Sequence, residues 1–150
     1  MCKSHPFQLH EFMPYLLNRA AEVAGQEFQK TYKDKYGMLR TEWRVLFHLG
    51  CYGQMTAKEI CDRASLHKTK VSRAVAALQN RRYVARETME NDRRHEILSL
   101  TRLGQTVFDD IFQSAEIFNA HLMTTFSDQE VLIARKVLLR IANMADATTS

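Results

Sequence analysis

The chain is poor in helix breakers: 150 residues hold five glycines and two prolines. That scarcity excludes a turn-rich all-β fold and points to helices. No apolar run approaches the about 18 residues that a membrane helix needs. Met1-Cys2-Lys3-Ser4-His5-Pro6 lacks the apolar core of a secretory signal. The expectation is a cytoplasmic protein with no membrane partner. The three cysteines, Cys2, Cys51 and Cys61, are odd in number and show no C-x-x-C spacing, which argues against a disulfide framework or a zinc knuckle. Cys51 and Cys61 lie in apolar-patterned stretches and are expected as buried thiols. There is no G-x-S-x-G, no H-E-x-x-H and no Gly-rich phosphate loop, and the six histidines are scattered. No enzyme activity and no cofactor are therefore expected. Cys2, His5, His10 and Glu11 are the residues that could gather a metal, but they fall in an N-terminal tail, and no metal site is expected.

What is present is a concentrated positive charge. The whole chain carries only +4, with 45% hydrophobic and 25% charged residues, an ordinary balance for one domain with a real core over 1–150. Between Arg63 and Arg94, however, nine Lys/Arg face three acids. That segment is +6 and the remainder −2. A near-neutral body with one basic module is the footprint of a phosphate-binding surface; a merely solvated basic face is the plainer reading.

Helical spacing of Leu9, Phe12, Met13, Leu16, Leu17, Ala20, Val23, Ala24 and Phe28 predicts a first helix from about Leu9 to Tyr32. Pro14 sits in its first turn or kinks it, and Gly37 breaks the chain after it. Thr41 is the expected N-cap of a second helix that runs to Leu49, with Gly50 and Gly53 ending it. Thr56-Ala57-Lys58-Glu59 is a capping box opening a short helix to about Ala64. Ser65-Leu66-His67 is a turn, and Lys68 to about Asn80 reads as the next helix, with Val71, Val75 and Leu78 facing the core. Tyr83–Thr88 reads as a strand. Asn91-Asp92-Arg93-Arg94 reads as a polar turn handing over to a second strand at His95-Glu96-Ile97-Leu98-Ser99-Leu100. Thr101 caps a long helix containing Val107, Phe108, Ile111, Phe112, Ala115 and Phe118. Ser127-Asp128-Gln129-Glu130 is a second capping box, opening a last helix, and Thr148-Thr149-Ser150 is a frayed end.

The order is α-α-α-α-β-β-α-α: mainly α with a small β-hairpin wing. Two consecutive helices, the second basic, followed by a cationic hairpin make a winged helix-turn-helix. A hairpin with two arginines at its tip is narrow enough for the minor groove, where Arg senses groove width and potential. Duplex DNA is therefore the expected partner. The outer helices, Leu9–Phe28 and Val131–Met144, are more apolar than a small central module can cover. They are expected to pack against a second copy, or else to cover their own domain.

These residues resemble the multiple-antibiotic-resistance regulator (MarR) family of bacterial transcription factors, over nearly the whole chain. Thr41-Glu42-Trp43-Arg44-Val45-Leu46 is similar to the family's second helix and Thr56-Ala57-Lys58-Glu59-Ile60 to its third. Lys68–Leu78 resembles its recognition helix, and the Asp-x-Arg tip and Leu100-Thr101-x-x-Gly104 its wing and wing junction. Phe126-Ser127-Asp128-Gln129-Glu130 resembles the start of its last helix. The resemblance implies a homodimeric, ligand-responsive repressor on a pseudo-palindromic operator. It also implies dimerisation helices at 8–36 and 102–146 around a DNA-binding module at 41–100. Two positions depart from the family pattern. Arg82 stands where a glycine usually ends the recognition helix, and His67 stands where a capping Ser or Asp is usual.

The expected DNA contacts on the recognition helix are His67, Lys68, Thr69, Lys70, Ser72 and Arg73. Arg73 is the candidate for bidentate guanine readout or for a phosphate. In the wing they are Arg86, Asn91, Asp92, Arg93 and Arg94. The family pattern implies that Asp92 orients Arg94 into the minor groove; a plain turn residue is the alternative. An effector site is read at Trp43 and Phe47, on one helix face, with Arg44 and His48 flanking and Arg19 from the first helix. An aromatic wall beside cations suits a small aromatic or other anionic effector. Equally, Trp43 and Phe47 are core and Arg44 snorkels. Two other functions stay open: a redox regulator using Cys2 or Cys51, and a winged helix that binds protein rather than DNA.

Overall fold

A computed structural model describes residues 8–89 and 92–144, with side chains throughout except at 92–94. Cys2, His5, Asn91 and Thr148–Ser150 lie outside the described residues, as do the side chains of Asp92, Arg93 and Arg94. The chain divides into two compact units, Met1–Gln113 and Ser114–Ser150.

The first unit begins with a single 3-10 turn, Leu9–Glu11, and then α1, Met13–Tyr36. The helix both starts and ends later than its apolar spacing suggests. Pro14 lies in its first turn, where the missing N–H would have had no partner anyway. It ends at Gly37, whose φ of 61° is left-handed and whose N–H bonds back to the Lys33 carbonyl at 2.8 Å. Helix α2, Arg40–Tyr52, corrects two expectations. Its N-cap is Leu39 rather than Thr41, and the Leu39 N–H donates to the Glu42 carboxylate at 2.8 Å. Glu42 thus satisfies an otherwise orphaned donor and is itself buried. Gly50 does not end the helix. It lies inside it because the Phe108 ring occupies the space a Cβ would need, and Gly53 is the C-cap.

The two-residue strand β1, Met55–Thr56, was not expected. It is too short to show alternation. Helix α3, Ala57–Ala64, has the anticipated capping box: Glu59 N–H to Thr56 Oγ1 at 3.2 Å and Thr56 N–H to Glu59 Oε2 at 2.9 Å. Helix α4 spans Lys68–Asn80. Strands β2, Val84–Met89, and β3, Asp92–Leu100, form the wing, and the sheet order is β1-β3-β2, all antiparallel. Asp92, Arg93 and Arg94 therefore belong to strand β3 rather than to a turn. A register irregularity between Thr88 and Met89 pairs Met89 with Asp92, so the hairpin closes further out than its polarity suggested.

The core of this unit gathers Tyr32, Met38, Val45, Leu46, Ile60, Val71, Val75, Leu78, Leu98 and Ile111, all fully or nearly fully buried. Each aliphatic member stabilises the fold by about 1.5–3 kcal/mol relative to exposure. Helix α5, Arg102–Met123, carries Val107, Phe108 and Ile111 into this core. The second unit holds the remainder of α5 and α6, Asp128–Ala142. Its capping box is as read, with Glu130 N–H to Ser127 Oγ at 3.2 Å. No described residue of α6 is buried, and Leu132, Ile133, Leu138 and Leu139 are exposed.

At the end of α4 the Arg82 departure has a structural consequence. Arg82 takes φ 64°, its N–H bonds the Gln79 carbonyl at 2.9 Å, and the Tyr83 N–H bonds Leu78 at 2.9 Å. This is a Schellman end with arginine where glycine is at ease. Arg82→Gly is expected to raise the unfolding free energy by about 0.5–1 kcal/mol, the left-handed penalty less the entropy glycine adds to the unfolded chain. Equilibrium urea unfolding measures it, and a loss of stability would mean that Arg82 is not strained.

Candidate nucleic-acid interface

The turn between α3 and α4 is built by Ser65 in a left-handed conformation, φ 52°, and by His67 as N-cap. His67 Nδ1 accepts the Thr69 N–H at 3.2 Å. The departure from a Ser or Asp cap thus keeps the capping function: an imidazole nitrogen replaces a hydroxyl or carboxylate oxygen. Along α4, Val71, Ala74, Val75 and Leu78 are buried, whereas His67, Lys68, Thr69, Lys70, Ser72 and Arg73 are all exposed. The helical period alone makes this separation. The apolar stripe packs against α2 and α3 and leaves the basic and hydroxyl side chains on the outer face.

The wing flanks this face. Arg86, on β2, is exposed and forms an ion pair with Glu96 of β3 at 3.1 Å. A cleft of about 420 Å³ lies between α3, α4 and the wing, lined by Lys58, Cys61, Lys68, Ser72, Arg86 and Glu96 over an apolar floor. Lys58 was missed in the sequence reading; its place in the exposed first turn of α3, inside the capping box, was the available signal. A second cleft of about 440 Å³ opens on the other side of α4. It carries Lys70, Arg73 and Arg81 opposite Leu39 and Thr41. Arg81 was likewise missed, because its partners are main-chain carbonyls: Nη2 donates to Gly37 O at 2.8 Å and Nη1 to Tyr36 O.

The effector candidates are only partly brought together. Trp43 and Phe47 meet at 4.8 Å between ring centroids. They belong to an edge-to-face cluster in which Phe28 meets Trp43 at 5.3 Å and Phe108 meets Phe47 at 5.2 Å. The Trp43 Nε1–H is buried beside Tyr32, whose ring lies 5.4 Å from the indole, and among the described residues it meets no acceptor at strict hydrogen-bond geometry. Arg44 turns to α3, where its Nη2 donates to the Ala64 carbonyl at 2.8 Å; burial holds its pKa below the usual value. His48 Nδ1 lies 2.7 Å from the Arg44 carbonyl and its ring packs near Tyr52. Arg19 is exposed on α1.

A sequence model of the MarR family matches residues 36–95, from the end of α1 into β3. An HTH-type regulator of Bacillus subtilis, YwoH, is 25% identical over 114 residues, covering 76% of this chain and 82% of that one. The B. subtilis HTH-type transcriptional repressor MdtR is 25% identical over 113 residues, 75% of this chain and 73% of that one. Among solved structures, a MarR/EmrR family regulator from Acinetobacter sp. ADP1 has a TM-score of 0.84 at 23% identity, over 94% of this chain and 99% of that one. Bordetella bronchiseptica BpsR, whose DNA binding is regulated by 6-hydroxynicotinic acid, has a TM-score of 0.82 at 20% identity, over 93% of this chain and 99% of that one. The chain thus carries a segment, residues 36–95, that matches the MarR family. It is a winged helix-turn-helix transcriptional regulator.

The cysteines differ from expectation. Cys51 is exposed and Cys61 half-buried, rather than both being buried. Cys51 follows Gly50 on α2 and falls on the face away from Val45, Leu46 and Leu49, so the apolar run around it was misleading. Partial burial still pushes its thiol above the ordinary value, which lowers its thiolate fraction and weighs against oxidant sensing there. Alkylation of Cys51 by iodoacetamide at neutral pH is expected to be slower than that of a free cysteine peptide, with peptide mapping as the readout. A faster rate would mark Cys51 as activated. Among the described residues no group of three metal-ligating side chains gathers, and no helix is long and apolar enough to cross a membrane.

Proposed function

We propose that the protein is a cytoplasmic homodimeric repressor, without enzyme activity, that reads a pseudo-palindromic duplex operator and releases it when a small aromatic or other anion binds. The observation that carries this reading is the outer face of α4. His67, Lys68, Thr69, Lys70, Ser72 and Arg73 share it, beside a two-stranded wing and opposite a fully buried stripe. The amino-terminal half of such a helix lies in the major groove. Lys68, Lys70 and Arg73 hold phosphates or guanine edges, and Thr69 and Ser72 supply neutral hydrogen bonds. In the wing, the family pattern has Asp92 hold Arg94 for the minor groove, Asn91 is a further DNA contact, Arg93 holds phosphate, and Arg86 is shared between Glu96 and a phosphate. MdtR, a repressor, supports the sign of regulation.

The homodimer rests on exposed apolar side chains at both ends of the chain. Leu9, Phe12, Met13 and Leu16 lie exposed in and before α1, and Leu132, Ile133, Leu138 and Leu139 on α6. Exposed apolar surface of this extent marks an interface in a soluble protein. Residues 8–36 and 102–146 would form it, leaving 41–100 as the reading module.

Salt titration tests the DNA reading. If a dimer neutralises about eight phosphates, log affinity against log salt should fall with a slope of roughly −7. Arg94→Ala should weaken operator binding by about 1–3 kcal/mol. An unchanged affinity in the folded variant would show that the wing does not read DNA, and no duplex binding by the parent protein would favour a protein-binding winged helix.

The effector reading rests on Trp43 and Phe47, with Arg44, His48 and Arg19 as its nearest polar candidates, and on BpsR's response to a hydroxylated aromatic acid. The buried Trp43 N–H lies inside an aromatic wall. Trp43 is the single tryptophan, so its fluorescence reports the site directly. Aromatic acids that quench it are expected to weaken operator binding by about 5–150-fold, the usual range of coupling. Quenching with no change in operator affinity would remove this site from control. Release by peroxide that is lost in a Cys51→Ser or Cys2→Ser variant would put a redox mechanism in its place.

A further inference from the structure

The carboxyl end of the recognition helix is tied to the hinge between α1 and α2. Arg81, the C-cap of α4, donates from Nη2 to Gly37 O at 2.8 Å and from Nη1 to Tyr36 O. The first carbonyl belongs to the left-handed cap of α1 and the second to its last turn, the negative pole of that helix. A guanidinium is planar and presents parallel N–H groups, so it can hold two neighbouring carbonyls at once, where an ammonium is a single point. The same last turn is anchored on its other side. Lys35 Nζ lies 2.7 Å from Asp110 Oδ2 on α5, and the Tyr36 hydroxyl donates to that same carboxylate oxygen. Residues 37–39 are all that separates α1 from α2. The hinge is thus gripped from α4 while the turn before it is fixed to α5.

We propose that Arg81 is a positioning residue for DNA recognition: it clamps α4 to the α1–α2 hinge, so that rotation at residues 37–39 sets the angle at which α4 meets the duplex. This rests on the DNA-binding reading above. Arg81 acts through main-chain carbonyls, so its own replacement is the direct way to release the clamp. In a dimer the clamp fixes the separation of two reading heads, and that separation must match about one helical turn of DNA. Discrimination between operators of different half-site spacing is therefore the property that the clamp controls.

The test uses the full-length protein and an operator selected by it from a random duplex pool. Parent, Arg81→Gln and Arg81→Lys are compared on that operator, on versions with one base pair added or removed between half-sites, and on unrelated duplex, at one salt concentration. Arg81→Gln should bind the operator about tenfold more weakly, the scale of one lost charge-assisted hydrogen bond. Its penalty for altered spacing should shrink by a similar factor. Arg81→Lys keeps the charge but not the two-carbonyl grip. It should hold unrelated duplex as the parent does and still lose spacing discrimination, and it decides the matter if the glutamine variant fails to fold. Unchanged spacing discrimination in the folded variants overturns the clamp. So does full restoration by lysine after an equal loss on all of these DNAs, which would make Arg81 an ordinary phosphate contact. If the parent selects no operator, the DNA-binding reading fails and the clamp with it.

Discussion

The wing depends on one threonine. The Thr101 side chain donates to the Arg82 carbonyl at 2.6 Å and accepts the Gly104 N–H at 3.0 Å, while its own N–H bonds Tyr83 O at 3.0 Å. It therefore caps α5 and at the same time ties the residue after β3 to the residues before β2. Gly104 allows this closeness, since a Cβ there would overlap the Tyr83 carbonyl. The end of α4, the base of the hairpin and the start of α5 become one junction. A wing hinged on a loose loop would sweep through many angles. With both strand ends held at the same point, its direction relative to α4 is set by the fold, and the two can address one duplex together.

Electrostatics then act on a prepared surface. The module's +6 would be self-repulsive if it were spread through the core, but every Lys and Arg assigned to α4's reading half lies outside the buried stripe. Internal pairing withdraws part of the charge. Glu96 holds Arg86, and the Tyr36 and Gly37 carbonyls hold Arg81. Lys68, Lys70 and Arg73 lie exposed on the amino-terminal half of α4. The α5 side follows the same economy of placement. The Asp110 carboxylate is held below its usual range by Lys35 and then by Tyr36. Burial first, and then that carboxylate, push the Tyr36 hydroxyl up to about 12, so the tyrosine stays protonated and donating through the neutral range.

Much of this was legible in the sequence because its determinants are local. Capping boxes at Thr56 and Ser127 need only four residues each, and the period of Val71, Val75 and Leu78 needs only α4. The left-handed end at Arg82 was visible as a residue in the wrong place. What was not legible depends on distant partners. Gly50 looks like a terminator until Phe108, far along the chain, fills its missing side chain. Thr41 looks like a cap until Glu42 is found serving Leu39. Strand β1 exists only because β3 lies beside it. Arg81 and Arg44 both bond main-chain carbonyls, Arg44 that of Ala64, and a carbonyl leaves no mark in a sequence. The exposed face of α4 was therefore readable, and the polar links at its ends were not.

Helix α2 is where these links converge. One face of it carries Trp43 and Phe47 into the aromatic cluster with α1 and α5, and Arg44 reaches from it to the end of α3. Its amino terminus adjoins the hinge that Arg81 holds. A ligand entering the cluster would disturb α2 without touching a single DNA contact. Whether that disturbance changes DNA affinity depends on the stiffness of the connections, because a ligand shifts an equilibrium only by its differential affinity for the two states. A close-packed aromatic cluster does not deform continuously; it repacks or stays.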